Sequence, residues 1–310
     1  MNQVLANAGS VTLTKTWYQS GTPTDVDDVT IGIVDGNGAE VVAVPAATTN
    51  AGSGVYTYTL ADQANPKLLV ATWTDTSTTD TRVDRLEVVG GFLFTENQAR
   101  TFAAKADATS ALKPLASDTE YPDDTISDER ARLTDDFEQW TGRSWVPRYA
   151  RVELAGNGRS VLSLRDGFAR TSDGYQLHRP GRFNDIAVLL SVTVGGTAVD
   201  VADVEVDPTS GRLIRSDSGY WDWPTLTSPF NVVVEYVYGL PYIVDGVDRI
   251  ALKVLIDRLV PSAWPDKALS ADTEYGTTRF IQPGGPMSNR TSIAEVNDWI
   301  TTHNMKVLVG

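Results

Sequence analysis

Carboxylates dominate the reactive side chains of this sequence, with 40 Asp and Glu against 26 Lys and Arg in 310 residues. Acid and base hydrolysis needs two carboxyls in differently tuned surroundings. Asp123-Asp124, Asp135-Asp136 with Glu138, and Asp25-Val26-Asp27-Asp28 supply such pairs by count. Their settings point to structural roles instead. Asp123-Asp124 stands where the N-cap and first-turn acids of a helix belong. Asp135, Asp136 and Glu138 fall off the apolar stripe of that helix, which predicts a solvated face. The run from Asp25 to Asp28 lies in a loop between strands. Hard oxygen ligands of this kind suit Ca²⁺, but the spacing lacks the glycine and terminal glutamate of an EF-hand, so a solvated turn is expected.

Nucleophilic and metal chemistry have less to work with. The sequence holds no cysteine, which excludes thiol catalysis, disulfides, iron–sulfur clusters and cysteine-based zinc sites. There is no Gly-x-Ser-x-Gly elbow, and neither His178 nor His303 has an evident partner. His303 closes a helix, where a cation suits the dipole. Gly195-Gly196 and Gly284-Gly285 are isolated turn signals rather than phosphate loops. Asn289-Arg290-Thr291 has the form of a glycosylation acceptor without a secretion signal to use it. The expectation is a protein with no catalytic residue, no cofactor and no bound metal.

Aromatic side chains offer a different kind of chemistry. Tyr220-Trp221-Asp222-Trp223-Pro224 gathers three rings in a loop. Exposed aromatics bind sugars or protein partners; the opposing reading is a loop tucked over the edge of a β core. A net charge of −14 disfavours sequence-independent phosphate binding, which draws on clustered Lys and Arg. Met1 to Ala8 has neither the basic nor the apolar part of a secretory leader, and no stretch approaches the roughly 20 apolar residues of a membrane span. A soluble chain made in the cytoplasm, with no membrane partner, is expected.

The elements that would position these residues follow from periodicity. Residues 1–90 are rich in Thr, Val, Gly and Ala, with period-2 stretches such as Val29 to Val34 and Gly54 to Leu60 separated by turn signals such as Asp35-Gly36-Asn37-Gly38. About six or seven strands in about 90 residues predict an immunoglobulin-like β-sandwich. After Gly90-Gly91, Thr95 and Gln98 have the spacing of a capping box opening a helix over 95–106. A second helix over 125–141 carries Ile126, Leu133, Phe137 and Trp140 on one stripe and stops at Gly142. Strands return over 148–238, a third helix covers 245–259, and Pro261 ends it. Residues 266–310 form a less regular tail, with an extended piece at Thr277 to Ile281 and a short helix over 292–302 presenting Ile293, Val296, Trp299 and Ile300. A helix this short needs a docking surface, in this chain or another. Asp118-Thr119-Glu120-Tyr121 recurs as Asp272-Thr273-Glu274-Tyr275, but nothing around the copies matches and no repeat is assigned. The fold class is α+β and multidomain: an N-terminal sandwich (1–90), a helical body with an inserted β-domain (91–265) and an extended C-terminal tail.

Tyr121-Pro122-Asp123-Asp124-Thr125-Ile126, running through an amphipathic helix to Trp140-Thr141-Gly142-Arg143, resembles the start of the head-tail connector (adaptor) proteins of long-tailed bacteriophages. Gly211-Arg212-Leu213 and the closing strand Val232 to Tyr238 with Gly239 resemble that family's insertion, and Pro241 with the helix from Asp245 its returning C-terminal helix. The likeness covers residues 92–265 and leaves out the sandwich and the tail.

The resemblance implies a structural virion protein of the neck, assembled in the host cytoplasm. Such proteins form a ring, commonly a dodecamer, that joins the portal protein to a tail-side stopper or terminator protein while genomic DNA passes through. An acidic wall would let DNA slide without tight binding. In that setting Arg279, Phe280 and Ile281, with Trp299 and Ile300, are candidates to dock on the portal or an adjacent copy, and Tyr220, Trp221 and Trp223 are candidate partner contacts. The alternative is a non-enzymatic surface or glycan-binding protein built of β-modules.

Overall fold

A computed structural model describes residues 2–36, 38–104, 113–164, 169–171, 174–176, 185–208, 210–217, 219–223, 230–241, 246–259, 270–273, 276–279, 291 and 293–303. They form a mixed α+β architecture of several sheets and four α-helices, with buried apolar residues in three groups. The first group lies among ten strands: β1 (Asn2–Leu5), β2 (Val11–Thr16), β3 (Tyr18–Gln19), β4 (Thr22–Pro23), β5 (Val29–Asp35), β6 (Glu40–Ala47), β7 (Thr49–Gly52), β8 (Val55–Leu60), β9 (Lys67–Asp75) and β10 (Thr81–Val89). One sheet has the order β1-β10-β9-β5-β6, another β2-β8-β7, and β3 pairs with β4. Alternation buries Leu69, Ala71 and Trp73 on one face of β9, and these share a core with Leu13 and Tyr56 from the other sheet and with Trp17, which follows β2. The segment weighed above only as a leader is strand β1, which runs parallel to β10 with Val4 opposite Val88.

The helical group follows. Helix α1 (Glu96–Ala104) begins with the capping box its sequence announces. The Thr95 amide donates to Gln98 Oε1 at 2.7 Å, and the Gln98 amide donates to Thr95 Oγ1 at 3.1 Å. Helix α2 (Asp123–Thr141) starts after Pro122 without a side-chain cap; Asp123 instead accepts from Arg100 at 2.6 Å. Gly142 ends it in the left-handed conformation at φ 70°, its amide donating to Glu138 O.

The third group is built from β11 (Arg148–Leu154), β12 (Val161–Ser163), β13 (Ala169–Thr171), β14 (Gly174–Gln176), β15 (Ile186–Val194), β16 (Thr197–Val199), β17 (Val204–Asp207), β18 (Arg212–Arg215) and β19 (Val232–Tyr238). The orders are β11-β19-β15-β16 and β12-β18-β17, with β13 paired to β14. The central strand β19 is apolar nearly throughout because it is flanked on both sides and covered.

The chain then returns to the helices through α3 (Val247–Leu259). Arg258 near its end donates to Glu129 at 2.7 Å and to Asp136 at 2.6 Å, fastening α3 to α2 across the intervening strands. A hairpin, β20 (Ser270–Thr273) with β21 (Gly276–Arg279), precedes α4 (Ala294–His303). Helix α4 docks within this chain. Val296 and Ile300 are buried with Leu133 and Phe137, and Trp299 lies against Phe137 and Trp145, ring centroids 5.7 and 5.0 Å apart. The stripe that could have served a neighbour closes the chain's own helical core.

Candidate functional site

Where the three groups meet, one guanidinium gathers carboxylates from two of them. Arg148 begins β11 on the face that also carries Ala150, Val152 and Leu154, so its side chain is drawn inward with them. Its Nε donates to Glu87 Oε1 at 2.6 Å and its Nη2 to Glu87 Oε2 at 2.8 Å, a fork that spans from β11 to β10. Its Nη1 donates to Asp135 at 2.7 Å and Glu138 at 2.9 Å on α2. The Tyr238 hydroxyl donates to Glu138 at 3.1 Å, and Gln3 of β1 donates to Glu87 at 3.1 Å. Burial works against the charged guanidinium, but Glu87, Tyr238 and Glu138 outweigh it and hold the pKa well above the ordinary arginine value.

This network corrects the solvated-face expectation for the α2 acids. Glu138 is buried, Asp135 faces Arg148, and Asp136 is tied to Arg258. The run at Asp25 is the solvated turn expected, with Asp25, Asp27 and Asp28 exposed; the Gly54 amide donates to Asp25 Oδ1 at 2.6 Å, and Tyr56 Oη bonds both the amide and the carbonyl of Val26. Among the described residues no group of three or more His, Asp or Glu is placed to hold a metal ion, and no helix is long and apolar enough to cross a membrane.

A polar cleft of about 220 Å³ lies on the side of β11 to which Tyr149 alternates, lined by Asp35, Lys67, Tyr149, Leu190 and Glu235 among others. Glu235 sits in the apolar run of β19 and accepts from the Tyr149 hydroxyl at 2.5 Å and the Ser191 hydroxyl at 2.6 Å. Burial first, then Glu235, pushes the Tyr149 phenol far above its ordinary range. Arg148 was legible in principle, because a charged residue on the apolar face of a strand must find a buried partner; Glu235, on the face of β19 opposite Val234 and Tyr236, carried no such signal.

The aromatic loop divides. Trp221 is fully buried, its Nε1 donating to Ser160 O at 3.0 Å with the Arg215 guanidinium 5.6 Å from its ring, so it is a core peg rather than a contact residue. Tyr220 and Trp223 point outward, 64% and 71% exposed. Of the other candidates, Ile300 is buried and Trp299 is half-covered in the helical core. Arg279 ends β21, while Phe280, Ile281, His178 and the Gly284-Gly285 pair lie outside the described residues. His303 stacks on Trp299 at 4.3 Å, with Nδ1 2.8 Å from the Trp299 carbonyl oxygen. No protein-family model matches the chain, and no curated protein matches it.

Proposed function

We propose that this chain is a structural virion protein, a non-enzymatic head-to-tail adaptor. Copies form a dodecameric ring beneath the portal, join it to a stopper or terminator protein of the tail, and let genomic DNA pass. The observation that supports the reading most is the closure of α2 on α3 through Arg258, Glu129 and Asp136, with the strands of 148–238 inserted between the two helices. A chain of independent binding modules has no need of such a closure. The acidic balance, −14 overall, fits a channel wall that repels duplex DNA.

Under this reading the N-terminal unit is an immunoglobulin-like sandwich added to the adaptor body, and the Arg148 fork to Glu87 makes it a fixed part of each ring subunit. The test is to mix the purified chain with its cognate portal and examine the product by negative-stain microscopy and native mass spectrometry. A ring seated on the portal is expected. A chain that stays monomeric and leaves the portal bare refutes the adaptor reading.

A further inference from the structure

The loop from Tyr220 to Trp223 is held as a rigid display. The Trp221 amide donates to Arg159 O at 2.8 Å, and the Gly158 amide donates to Trp221 O at 2.6 Å. Asn231 Nδ2 donates to Asp222 O at 2.8 Å while its Oδ1 accepts from the Gly156 amide at 2.9 Å. A Cβ on Gly156 would collide with the Asp222 carbonyl, and one on Gly158 with the Trp223 indole. Two glycines, a buried amide side chain and the Trp221 peg thus fix a backbone whose neighbouring rings stand in water. Trp223 has its inner side seated on Gly158 and remains 71% exposed. Order lost in advance is order that binding need not remove, and rigid Trp and Tyr anchors are the usual centres of protein contacts.

Charge indicates what would cover the rings. Asp203, Asp217 and Asp222 all act on Arg215, and Asp217 is already paired with it. Asp222 is exposed, and its carboxylate makes no hydrogen bond among the described residues. An exposed indole beside an exposed carboxylate that makes no hydrogen bond among the described residues suits a guanidinium, which can lie over the ring and pair with the acid. The helical core presents such a group. Arg132 on α2 is 74% exposed and holds only a 3.3 Å contact to Glu129, whose other oxygen is taken by Arg258. A closed ring needs two different surfaces on each subunit.

Building on the adaptor reading, we propose that the Tyr220–Trp223 loop is the contact by which one copy grips the next, with Trp223 and Asp222 receiving Arg132 of a second copy of this chain. The full-length protein is followed by analytical ultracentrifugation and native mass spectrometry as wild type, W223A, D222R, R132D and the D222R/R132D pair, with circular dichroism confirming that each is folded. W223A and D222R are expected to weaken self-association by at least about 30-fold, the scale of a hot-spot residue, and the charge-swapped pair to recover most of what each single change loses. Wild-type protein that assembles while W223A and D222R assemble equally well overturns this contact and leaves the adaptor reading standing. Wild-type protein that never self-associates, with or without portal, overturns both. Assembly unchanged together with a Trp223-dependent signal on a glycan array assigns the loop to sugar and also overturns the contact.

Discussion

Replacing Arg148 by methionine keeps the volume of the side-chain stem and removes the charge that serves three carboxylates at once. Their fates differ. Asp135 is 43% exposed and can return to water, so its lost bond costs little. Glu87 and Glu138 are buried and cannot; Gln3 and Tyr238 remain as neutral donors to them. Stripping one partner from a buried ion pair costs about 3–5 kcal/mol, mostly the desolvation of the charge left behind. For a chain of this size that lowers the melting temperature on the order of 10 °C. The assay is urea unfolding followed by tryptophan fluorescence, alongside a thermal melt. One control follows from the same physics. The triple variant R148M/E87Q/E138Q recovers a large part of the loss because the two buried glutamates no longer carry charge. A deficit for R148M below about 1 kcal/mol, or no recovery in the triple variant, refutes the account of the seam as a buried, charge-balanced joint.

Three further outcomes are expected. T95A removes the oxygen that caps the Gln98 amide and costs about 1 kcal/mol in thermal unfolding; an unchanged melt rules out a stabilising box. W299A empties the space between Phe137 and Trp145 and costs about 3–5 kcal/mol, with α4 becoming the first site of limited proteolysis; a protease map like that of the wild type counts against its role in the core. The Asp217 carboxyl, held down to about 2 first by the Arg215 side chain and then by the Gly219 amide, should show that midpoint in a carbon-13 titration. Its contribution is present above the ordinary carboxylate range and is lost as pH falls through about 2, and R215M should raise the midpoint toward the ordinary 3.8. A midpoint unmoved by R215M refutes that assignment.

Local signals were readable directly in the sequence. Thr95 and Gln98 satisfy each other within one turn, and Gly142 ends α2 by its own backbone freedom, so neither needs knowledge of the rest of the fold. Long-range pairing was not readable. An apolar stripe tells which residues of α2 face inward, but it cannot tell that Glu138, at the stripe's margin, meets Arg148 and a tyrosine hydroxyl from β19. The same limit applies to Trp221 between Tyr220 and Trp223. Alternation would put Trp221 and Trp223 on the same side, and only the position of Ser160 and Arg215 decides that Trp221 alone goes in. The strand character of Asn2–Leu5 was hidden because a four-residue edge strand is specified by the strand it joins, β10.

The helical core joins Leu93 and Phe94 to Val296 and Ile300, so its two halves leave the ribosome at very different times. At roughly 5–20 residues per second the interval is roughly 10–40 s. During it the two strand groups can complete themselves from contiguous chain, while α1 and α2 wait with Ile126, Leu133 and Phe137 uncovered. The order of synthesis therefore makes the helices the last part of the subunit to mature. A nascent chain stalled before Trp299 would carry two finished β-units and an open, adhesive helical face, the form most in need of a holding chaperone.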